Sequence, residues 1–285
     1  MSENQAAATA RPSRPAKVVF VYDIASPTSW IALITMLRYQ EPWNLDLELQ
    51  PILVGSAMRA TGVKKPHLPP VKQQYYDRDL RRVAERWGVT INPPPEDPFD
   101  RITRPAIRFL RTLKAHEPSD VLVKATLLLF EEYFTVGTPV TSPKFFDCLS
   151  SSHGKRGPLS ESRLQQLLAF SQQREAEEGL DADVRYVVEK WGTWGVPWMV
   201  AHRVPPDDRN LSDEEKILDP LPPTEWQSFH TENRIEALGY YLGPEYIWRG
   251  PWPDGIERFS ASVGPSPAFL IPKRAPETGD TKGKL

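Results

Sequence analysis

The pattern of apolar and polar residues near the start of the chain predicts a strand, a helix and a second strand. Residues 17–24 form a nearly continuous apolar run, which is typical of a strand covered on both faces. Apolar residues then recur at helical spacing over 27–40, and Leu45, Leu47 and Leu49 alternate with polar residues as in a second strand. This order predicts a βαβ unit with parallel strands.

The middle of the chain changes to helical periodicity. Its apolar residues recur three or four positions apart, and the helices that this spacing predicts are 73–87, 101–116, 119–134, 160–177 and 181–190. Residues 143–149 indicate a further short helix. We therefore interpret 73–191 as a helical insertion domain, whose apolar stripes form a core and carry no chemistry.

Strand signals return after the insertion. Residues 198–201 follow the segment Gly195-Val196-Pro197 and predict a strand, and 228–230 predicts another. Residues 231–242 predict a helix for which Thr231 is the N-terminal cap. The part of the chain after the insertion is therefore predicted to contain two strands followed by a helix.

These elements suggest how the chain is organised. We interpret 17–72 and 192–246 as one α/β domain that the insertion interrupts, with 203–224, dense in proline and aspartate, as an extended loop. Residues 1–16 lack the apolar core of a secretory signal and are interpreted as a disordered leader. Residues 247–285, rich in proline and glycine, are interpreted as a C-terminal extension.

Charge and hydropathy exclude two classes of partner. The formal net charge of −2 and the absence of any Lys/Arg run longer than a pair provide no basic field for a phosphate backbone, so we expect no nucleic-acid partner. The longest apolar stretch, 121–130, is interrupted by Lys124 and is far shorter than the ~20 residues that a membrane-spanning helix needs. We therefore expect no membrane span.

Cysteine and histidine usage argues against redox and metal chemistry in the chain itself. Cys148 is the only cysteine, so neither an intramolecular disulfide nor a Cys-x-x-Cys pair can form. We expect it to pack as a small hydrophobic residue. The five histidines form no cluster with metal-ligand spacing, so we predict no metal site.

The segment Ser26-Pro27-Thr28-Ser29-Trp30 joins the first strand to the first helix. Ser26 can accept a hydrogen bond from a free amide as N-cap, and Pro27 suits the first helical position. This arrangement places the Ser26 hydroxyl at the positive end of the helix dipole, where an anion would be stabilised. Taken alone, the pentapeptide is better explained as an ordinary helix cap.

The order of these elements, with several short motifs, resembles the kappa-class glutathione transferases and the related 2-hydroxychromene-2-carboxylate isomerases, which have the DsbA-like thioredoxin fold. The likeness covers about residues 17–246. Beside the Ser-Pro-x-Ser-Trp segment, its motifs are Tyr22-Asp23, Leu37-Arg38-Tyr39-Gln40, Trp43-Asn44, Met58 with Gly62, Gly192 to Pro197, Val200-Ala201-His202, Arg234-Ile235-Glu236 and Tyr241-Leu242-Gly243.

The resemblance implies an α/β, thioredoxin-like (DsbA-like) domain with a large all-helical insertion, and glutathione as substrate or cofactor. It implies that the Ser26 hydroxyl donates to the glutathione sulfur and that Lys72 contacts the tripeptide. Val196 precedes a cis-proline, Pro197, and pairs through its backbone with the cysteinyl part of glutathione. A homodimer is also implied.

The remaining implied contacts lie at the two ends of the ligand. Thr231 and Glu232 supply the hydroxyl and carboxylate that bind the γ-glutamyl end, if one residue is inserted before Arg234; in the other register Glu232 and Asn233 replace them. Trp30 and Trp194 flank an apolar, electrophilic small-molecule co-substrate. This chain departs from the family at Val63, where an asparagine is usual.

Three functions remain open from the sequence. We favour conjugation, in which the glutathione thiolate attacks an electrophilic carbon. The alternatives are glutathione-dependent cis–trans isomerisation and a non-catalytic ligand-binding protein on the same scaffold. Ser26 and Ser29 occupy the two positions of the cysteines in DsbA-like oxidoreductases, which excludes thiol–disulfide exchange. We expect a cytoplasmic location, with the peroxisome and the mitochondrion as alternatives.

Overall fold

The computed structural model describes residues 12, 15–64, 68–92, 103–152, 156–202 and 226–254. Most of the leader predicted at 1–16, the loop predicted at 203–224 and the extension beyond residue 254 lie outside the described residues.

A mixed four-stranded sheet forms the centre of the fold. Its strands are β1 (Ala16–Tyr22), β2 (Leu45–Pro51), β3 (Trp198–His202) and β4 (Trp226–His230). They are arranged in the order β2-β1-β3-β4. Strands β1 and β2 are parallel, and β3 is antiparallel to both β1 and β4. The predicted parallel βαβ unit is therefore confirmed.

Helices surround the sheet and fill the long middle of the chain. In chain order they are α1 (Pro27–Tyr39), α2 (Val54–Ala60), α3 (Pro70–Trp87), α4 (Arg104–His116), α5 (Ser119–Glu131), α6 (Glu161–Ser171), α7 (Arg174–Trp191) and α8 (Ile235–Leu242). A π-helical turn, Glu132–Val136, extends α5, and 3-10 turns lie at Asp147–Leu149 and Glu232–Arg234. The thioredoxin-like α/β fold with many inserted helices agrees with the sequence expectation.

Two helices were predicted at 160–177 and 181–190, but the break between them lies earlier in the structure. Helix α6 ends at Ser171 and α7 begins at Arg174, because the backbone of Gln173 is extended, with φ −71° and ψ 156°. Glu175 and Glu177 lie in the first turn of α7, where carboxylates favour a helix start. Gly179, which falls between the two predicted helices, lies inside α7.

Two further predictions differ from the structure. Helix α2 was not predicted, because the sequence Val54 to Ala60 contains glycine and serine and its N-cap position, Leu53, offers no side-chain oxygen. The predicted threonine cap of the last helix is wrong. Thr231 makes no capping hydrogen bond, and its hydroxyl donates instead to Oδ1 of Asn233 at 2.5 Å.

The two faces of the sheet are covered by different parts of the chain. Val19 and Val21 of β1, with Val200 of β3, form a cluster with Val184 and Val187 of α7. The opposite face, which includes Phe20 and Tyr22, belongs to a larger core shared with α1, α4 and α5. Both faces are therefore buried, which accounts for the continuous apolar run in β1.

One aromatic stack links the sheet and α1 to the middle of the chain. The Tyr22 ring lies 6.2 Å from that of Phe130, and the Tyr22 and Thr126 hydroxyl oxygens are 2.7 Å apart. Trp30 of α1 stacks on Phe130 and Phe134, at centroid distances of 5.9 and 6.2 Å. The middle helices thus pack into the same core as the sheet.

The segment after α8 wraps around the end of α1. The Tyr39 hydroxyl donates to the carbonyl of Gly250 at 2.9 Å and accepts from the amide of Arg249 at 2.8 Å. The Arg38 guanidinium lies 3.5 Å from the ring centroid of Trp252 and donates to the carbonyl of Pro251. The start of the C-terminal extension is therefore part of the packed structure.

None of the helices in the described part of the chain combines the length and the apolar character needed to cross a membrane.

Candidate active site at the first helix

The turn between β1 and α1 carries the candidate hydroxyl. Ser26 has extended backbone angles, and its side-chain oxygen accepts from the amide of Ser29 at 3.1 Å. Pro27 occupies the first helical position, and the first turn of α1 contains no acidic residue. The predicted N-cap is confirmed, and the positive end of the helix dipole is not offset by a carboxylate within that turn.

The Ser26 hydroxyl faces the segment before β3. Its oxygen lies 3.4 Å from the carbonyl oxygen of Val196, to which it donates, and 3.1 Å from the hydroxyl of Thr28. The peptide bond between Val196 and Pro197 is cis. A separation of 3.4 Å is long for a bond between a hydroxyl and a carbonyl, so this contact is weak.

Two backbone amides, those of Val196 and Thr231, lie on the two sides of the cis-proline that faces Ser26. Within the described residues, the amide of Val196 has no hydrogen-bond acceptor. On the far side of the cis-proline, the amide of Thr231 donates to the carbonyl of Pro197 at 3.2 Å. Thr231 has a positive φ of 75°, which is uncommon for a residue with a side chain. The structure therefore brings Ser26, Val196, Pro197 and Thr231 together.

Glu232 begins the 3-10 turn beside this group and is half-buried. Burial raises the pKa of its carboxyl, Arg234 lowers it, and the negative charge of Asp79 raises it further. Asp79 belongs to α3, so α3 lies within electrostatic reach of this turn. Lys72 is two turns before Asp79 on the same helix face, at the exposed start of α3.

The Lys72 ammonium group lies 5.9 Å from the ring centroid of Tyr76. No carboxylate in the described ranges is paired with it. The structure gives no direct contact between Lys72 and the Ser26 turn in the part of the chain that it describes. Lys72 is thus an exposed cation on a neighbouring helix rather than part of the Ser26 cluster.

The two candidate tryptophans lie in different environments. Trp194 is 41% exposed, and its ring lies 4.3 Å from that of His230 and 5.8 Å from that of Trp198. Trp30 is only 3% exposed and stacked in the core. The expectation that Trp30 lines a co-substrate surface is therefore corrected: its spacing on α1 follows the buried stripe of the helix.

His230 is a part of the site that the sequence did not indicate. Its imidazole packs between Trp194 and Trp198, and a Cβ at Gly195 would lie 3.0 Å from its Nε2 atom. Gly195 therefore leaves the space that this ring fills. Burial lowers the pKa of His230, with a smaller contribution from Arg234. The lowered pKa favours the uncharged form of the ring.

The wall next to Ser26 is apolar. Ala25, Val54 and Met58 form a small buried cluster against which Val63 and Val196 pack. Val63, where the resemblance led us to expect an asparagine, contacts this cluster with its side chain. It adds apolar packing next to the Ser26 turn and offers no polar side-chain group there.

Asp23, which the sequence indicated only as part of the Tyr22-Asp23 motif and without a role, is completely buried. Burial raises the pKa of its carboxyl to about 6, while hydrogen bonds from the amides of Ala25 and Val54 lower it. The available signal was a lone charged residue at the end of an apolar run. Cys148, by contrast, is not reactive, because burial raises the pKa of its thiol to about 12.

In the ranges that the structure describes, no group of three or more His, Cys, Asp or Glu residues could hold a metal ion. Among the residues described, the site itself offers an oriented hydroxyl, a helix N-terminus, the unpaired amide of Val196 and an aromatic surface.

Comparison with known proteins identifies relatives over most of the chain. Residues 17–216 match the model of the DSBA-like thioredoxin domain. The human protein glutathione S-transferase kappa 1 is 25% identical over 245 residues, which cover 85% of this chain and 96% of the human protein. The rat protein of the same name is 24% identical over 242 residues, which cover 84% of this chain and 95% of the rat protein.

A solved structure of 2-hydroxychromene-2-carboxylate isomerase superposes on this fold with a TM-score of 0.58 and 17% sequence identity. The superposition covers 79% of this chain and 94% of the isomerase. At this identity the likeness is one of fold.

Proposed function

The chain belongs to the DSBA-like thioredoxin domain family, and on that premise we propose that it is a glutathione-dependent transferase. In this proposal Ser26 holds the glutathione thiol as a thiolate, which attacks an electrophilic, apolar co-substrate. The observation that carries the proposal is the Ser26 hydroxyl, held at the N-terminus of α1 and only weakly bonded to Val196. The kinship with the kappa-class transferases supports glutathione as the thiol substrate.

The amide of Val196, unpaired within the described part of the chain, and the weakly bonded carbonyl of the same residue support the binding of a peptide. An extended tripeptide can pair its cysteinyl backbone with the amide and carbonyl of Val196, as in the addition of a strand to an open backbone edge. The hydroxyl of Ser26 is then displaced from its long bond to Val196 and donates to the sulfur. This exchange replaces a weak neutral hydrogen bond by a stronger one to an anion.

The helix N-terminus and one hydrogen bond supply enough free energy to ionise the glutathione thiol without a general base. A thiol with a pKa near 8.5 is largely ionised at neutral pH after a shift of about one to two units, which corresponds to about 1.4–2.7 kcal/mol. A helix N-terminus contributes about 0.3–1 kcal/mol and a hydrogen bond to a charged acceptor about 1.5–3 kcal/mol. The proton leaves to solvent, and Ser26 is a donor rather than a nucleophile.

The bond changes in conjugation are simple. The sulfur lone pair forms a C–S bond to the electrophilic carbon, and the leaving group departs with the electron pair of the broken bond. In the alternative, isomerisation, the thiolate adds to a conjugated alkene, the resulting single bond rotates, and the thiolate is expelled again. Both reactions require the same thiolate, so the co-substrate distinguishes them.

Two charged side chains suit the ends of the tripeptide. The half-buried carboxylate of Glu232 has a pKa raised by burial, so the ammonium group of the γ-glutamyl end would stabilise its charge. The exposed ammonium group of Lys72 could in turn meet a glutathione carboxylate. The exposed ring of Trp194 offers an apolar surface for the co-substrate.

Replacement of Ser26 tests the proposal. Ser26→Ala and Ser26→Gly both remove the hydroxyl, but glycine retains most of the stability of an N-cap. We expect kcat with a chromogenic aryl halide to fall by about 10- to 100-fold in both variants, the effect of losing one hydrogen bond to an anion. The thiolate absorbance of bound glutathione should fall in parallel.

Ser160→Ala is the matched control, because Ser160 caps α6 in the same way, accepting from the amide of Arg163. It should lower stability without changing kcat. Full activity in Ser26→Gly would reduce Ser26 to a helix cap and contradict the proposal. A cis-enone substrate, assayed beside the aryl halide, separates isomerisation from conjugation.

A non-catalytic binding protein remains the second candidate, favoured by two observations. Val63 brings an apolar side chain into the wall of the site, and the Thr231 hydroxyl is already bonded to Asn233. Calorimetric titration with glutathione separates the two candidates. Heat of binding together with turnover supports the enzyme, binding without turnover supports the second candidate, and no heat at millimolar glutathione contradicts both enzyme reactions.

A further inference from the structure

Asp23 is a buried carboxyl group that the proposed reaction does not use. It lies directly after β1, three residues before Ser26, and its side chain has no exposed surface. An acidic group is costly at a site without solvent unless hydrogen bonds compensate for the loss. Its position beside the candidate hydroxyl therefore requires an explanation.

The two oxygens of Asp23 bind two different segments. Oδ1 accepts from the amide of Ala25 at 3.0 Å, and Oδ2 accepts from the amide of Val54 at 2.8 Å. Ala25 directly precedes Ser26, and Val54 is the first residue of α2. The carboxyl group thus connects the turn that carries the hydroxyl to the beginning of a second helix.

This connection extends to the backbone that faces the hydroxyl. Ala25, Val54 and Met58 are packed together, and Val196 packs against them. The carbonyl of Val196 is the group to which Ser26 donates. Asp23 therefore holds, directly or through this cluster, both the hydroxyl donor and the backbone segment opposite it.

We propose that Asp23 is a positioning residue that sets the orientation of the Ser26 hydroxyl toward the glutathione sulfur. The inference rests on the proposed function and deepens it. A negative charge three residues from Ser26 would oppose thiolate formation at that hydroxyl, so any benefit of Asp23 to the reaction is geometric. Geometry and charge therefore predict opposite changes in the pKa of the bound thiol, which makes the role testable.

The first test removes one hydrogen bond and leaves the carboxyl group in place. Val54→Pro eliminates the amide that donates to Oδ2, and proline is tolerated at the first position of a helix. The preceding residue, Leu53, has φ −88° and ψ 102°, the extended conformation that a following proline requires. Val54→Ala is the reference, because it shortens the same side chain and keeps the amide.

Relative to Val54→Ala, we expect Val54→Pro to lower kcat by about 10-fold, the effect of weakening one hydrogen bond to an anion. The pKa of the bound glutathione thiol, followed by thiolate absorbance against pH, should rise. The KM for glutathione should change little, since the contacts of the peptide remain. A purely structural role would lower the unfolding midpoint without moving the thiol pKa.

Asp23→Asn provides the second test, because it removes the charge and places an amide nitrogen against one of the two backbone donors. If Asp23 positions Ser26, the pKa of the bound thiol rises in this variant; if only its charge matters, the pKa falls. Asp46→Asn, on an exposed position of β2, makes the same change of charge elsewhere and should have no effect. If Asp23→Asn fails to fold, the comparison of Val54→Pro with Val54→Ala tests the positioning role alone.

The outcomes separate this inference from the proposed function. Unchanged kcat and thiol pKa in Val54→Pro, in a protein whose unsubstituted form is active, overturn the positioning role alone. An unsubstituted protein that neither binds glutathione nor shows thiolate absorbance overturns the proposed function, and the positioning role with it. A lower kcat together with a raised thiol pKa in Val54→Pro supports both.

Discussion

Ser26 uses one oxygen atom for two tasks. Its lone pair accepts from the amide of Ser29 and starts α1, while its hydrogen points to the carbonyl of Val196. The two tasks do not compete, because the first uses the oxygen as acceptor and the second uses it as donor. A residue that is required for the helix start is thereby also available as a donor to a ligand.

The buried carboxyl of Asp23 should make stability depend on pH. Its pKa in the folded protein is about 6, against an ordinary value of 3.8, so between these values the folded state binds more protons than the unfolded state. Stability must therefore fall as the pH rises through this interval, by about 3 kcal/mol in total. The contribution levels off at about pH 7, where the carboxyl group is ionised in both states.

Denaturant unfolding at pH 4, 5, 6 and 7 measures this effect. We expect the free energy of unfolding of Asp23→Asn to lack the decline between about pH 4 and 6 that Asp23 adds to the unsubstituted protein. Parallel curves for the two proteins would mean that the carboxyl group titrates at its ordinary pKa.

The predictability of these residues from sequence depended on how local their contacts are. The cap at Ser26 involves residues three positions apart, and it was correctly predicted. The contacts of Asp23 with Val54 and of His230 with Trp194 join residues more than 30 positions apart, so the sequence pattern did not show what either residue does, although a lone charge after an apolar run marked Asp23. Trp30 was misassigned because the same helical spacing describes a core stripe.

At the scale of elements, a row of ion pairs joins α4 to α7. Arg104, Arg108 and Arg111 follow one face of α4. Their partners on α7 are Glu177 and Asp181 for Arg104, Glu177 for Arg108 and Asp183 for Arg111. Gly179 of α7 allows close approach, since a Cβ there would lie 2.2 Å from the guanidinium carbon of Arg111.

This close approach predicts how Gly179→Ala will behave. Alanine favours a helix over glycine by about 1 kcal/mol, but here its methyl group must displace Arg111 from Asp183. We expect the full gain of about 1 kcal/mol only in an Arg111→Ala background, and a smaller gain or a loss when Arg111 is present. Denaturant unfolding of the four proteins of this cycle measures the coupling, and strict additivity would contradict the close contact.

The same glycine explains an error in the predicted helices. Gly179 lies in the predicted break between the helices 160–177 and 181–190, but in the structure it is inside α7 and allows the approach of a neighbouring helix. That neighbour, α4, is about 70 residues away in sequence. The strands and α1 were predicted more accurately because their patterns are set by burial on one or two faces.

At the scale of the whole molecule, residues after α8 hold the end of α1 in place. Tyr39 bonds to Gly250 and Arg249, and its ring stacks on that of Trp248 at 5.0 Å. The sequence indicated only an extension rich in proline and glycine. Its packing could not be predicted, because the tryptophans of such a segment have no regular spacing that indicates a face.

Tyr39→Phe tests how much this wrapping contributes. The substitution keeps the ring and removes the hydroxyl that bonds to two backbone groups, which should destabilise the protein by about 1–2 kcal/mol. Tyr240→Phe is the control, because Tyr240 is 88% exposed. Thermal unfolding should distinguish the two variants, and equal midpoints would show that the segment adds no stability through this bond.

The fold class and the order of most elements were thus predictable from sequence. That the sheet and the middle helices share one core was not predictable. The stack of Tyr22, Trp30, Phe130 and Phe134 joins residues more than 100 positions apart. Each of these aromatic residues, taken alone, indicates only that its own element is buried on one face.

That shared aromatic stack has an evolutionary consequence. A cassette of helices that covered its own core could be exchanged between related proteins without changes elsewhere. Here Phe130 and Phe134 pack directly against Tyr22 and Trp30. Helices taken from a related protein would therefore leave a cavity or a steric clash beside β1, unless Tyr22 and Trp30 changed as well. Substitutions on the two sides of this contact are therefore expected to be inherited together.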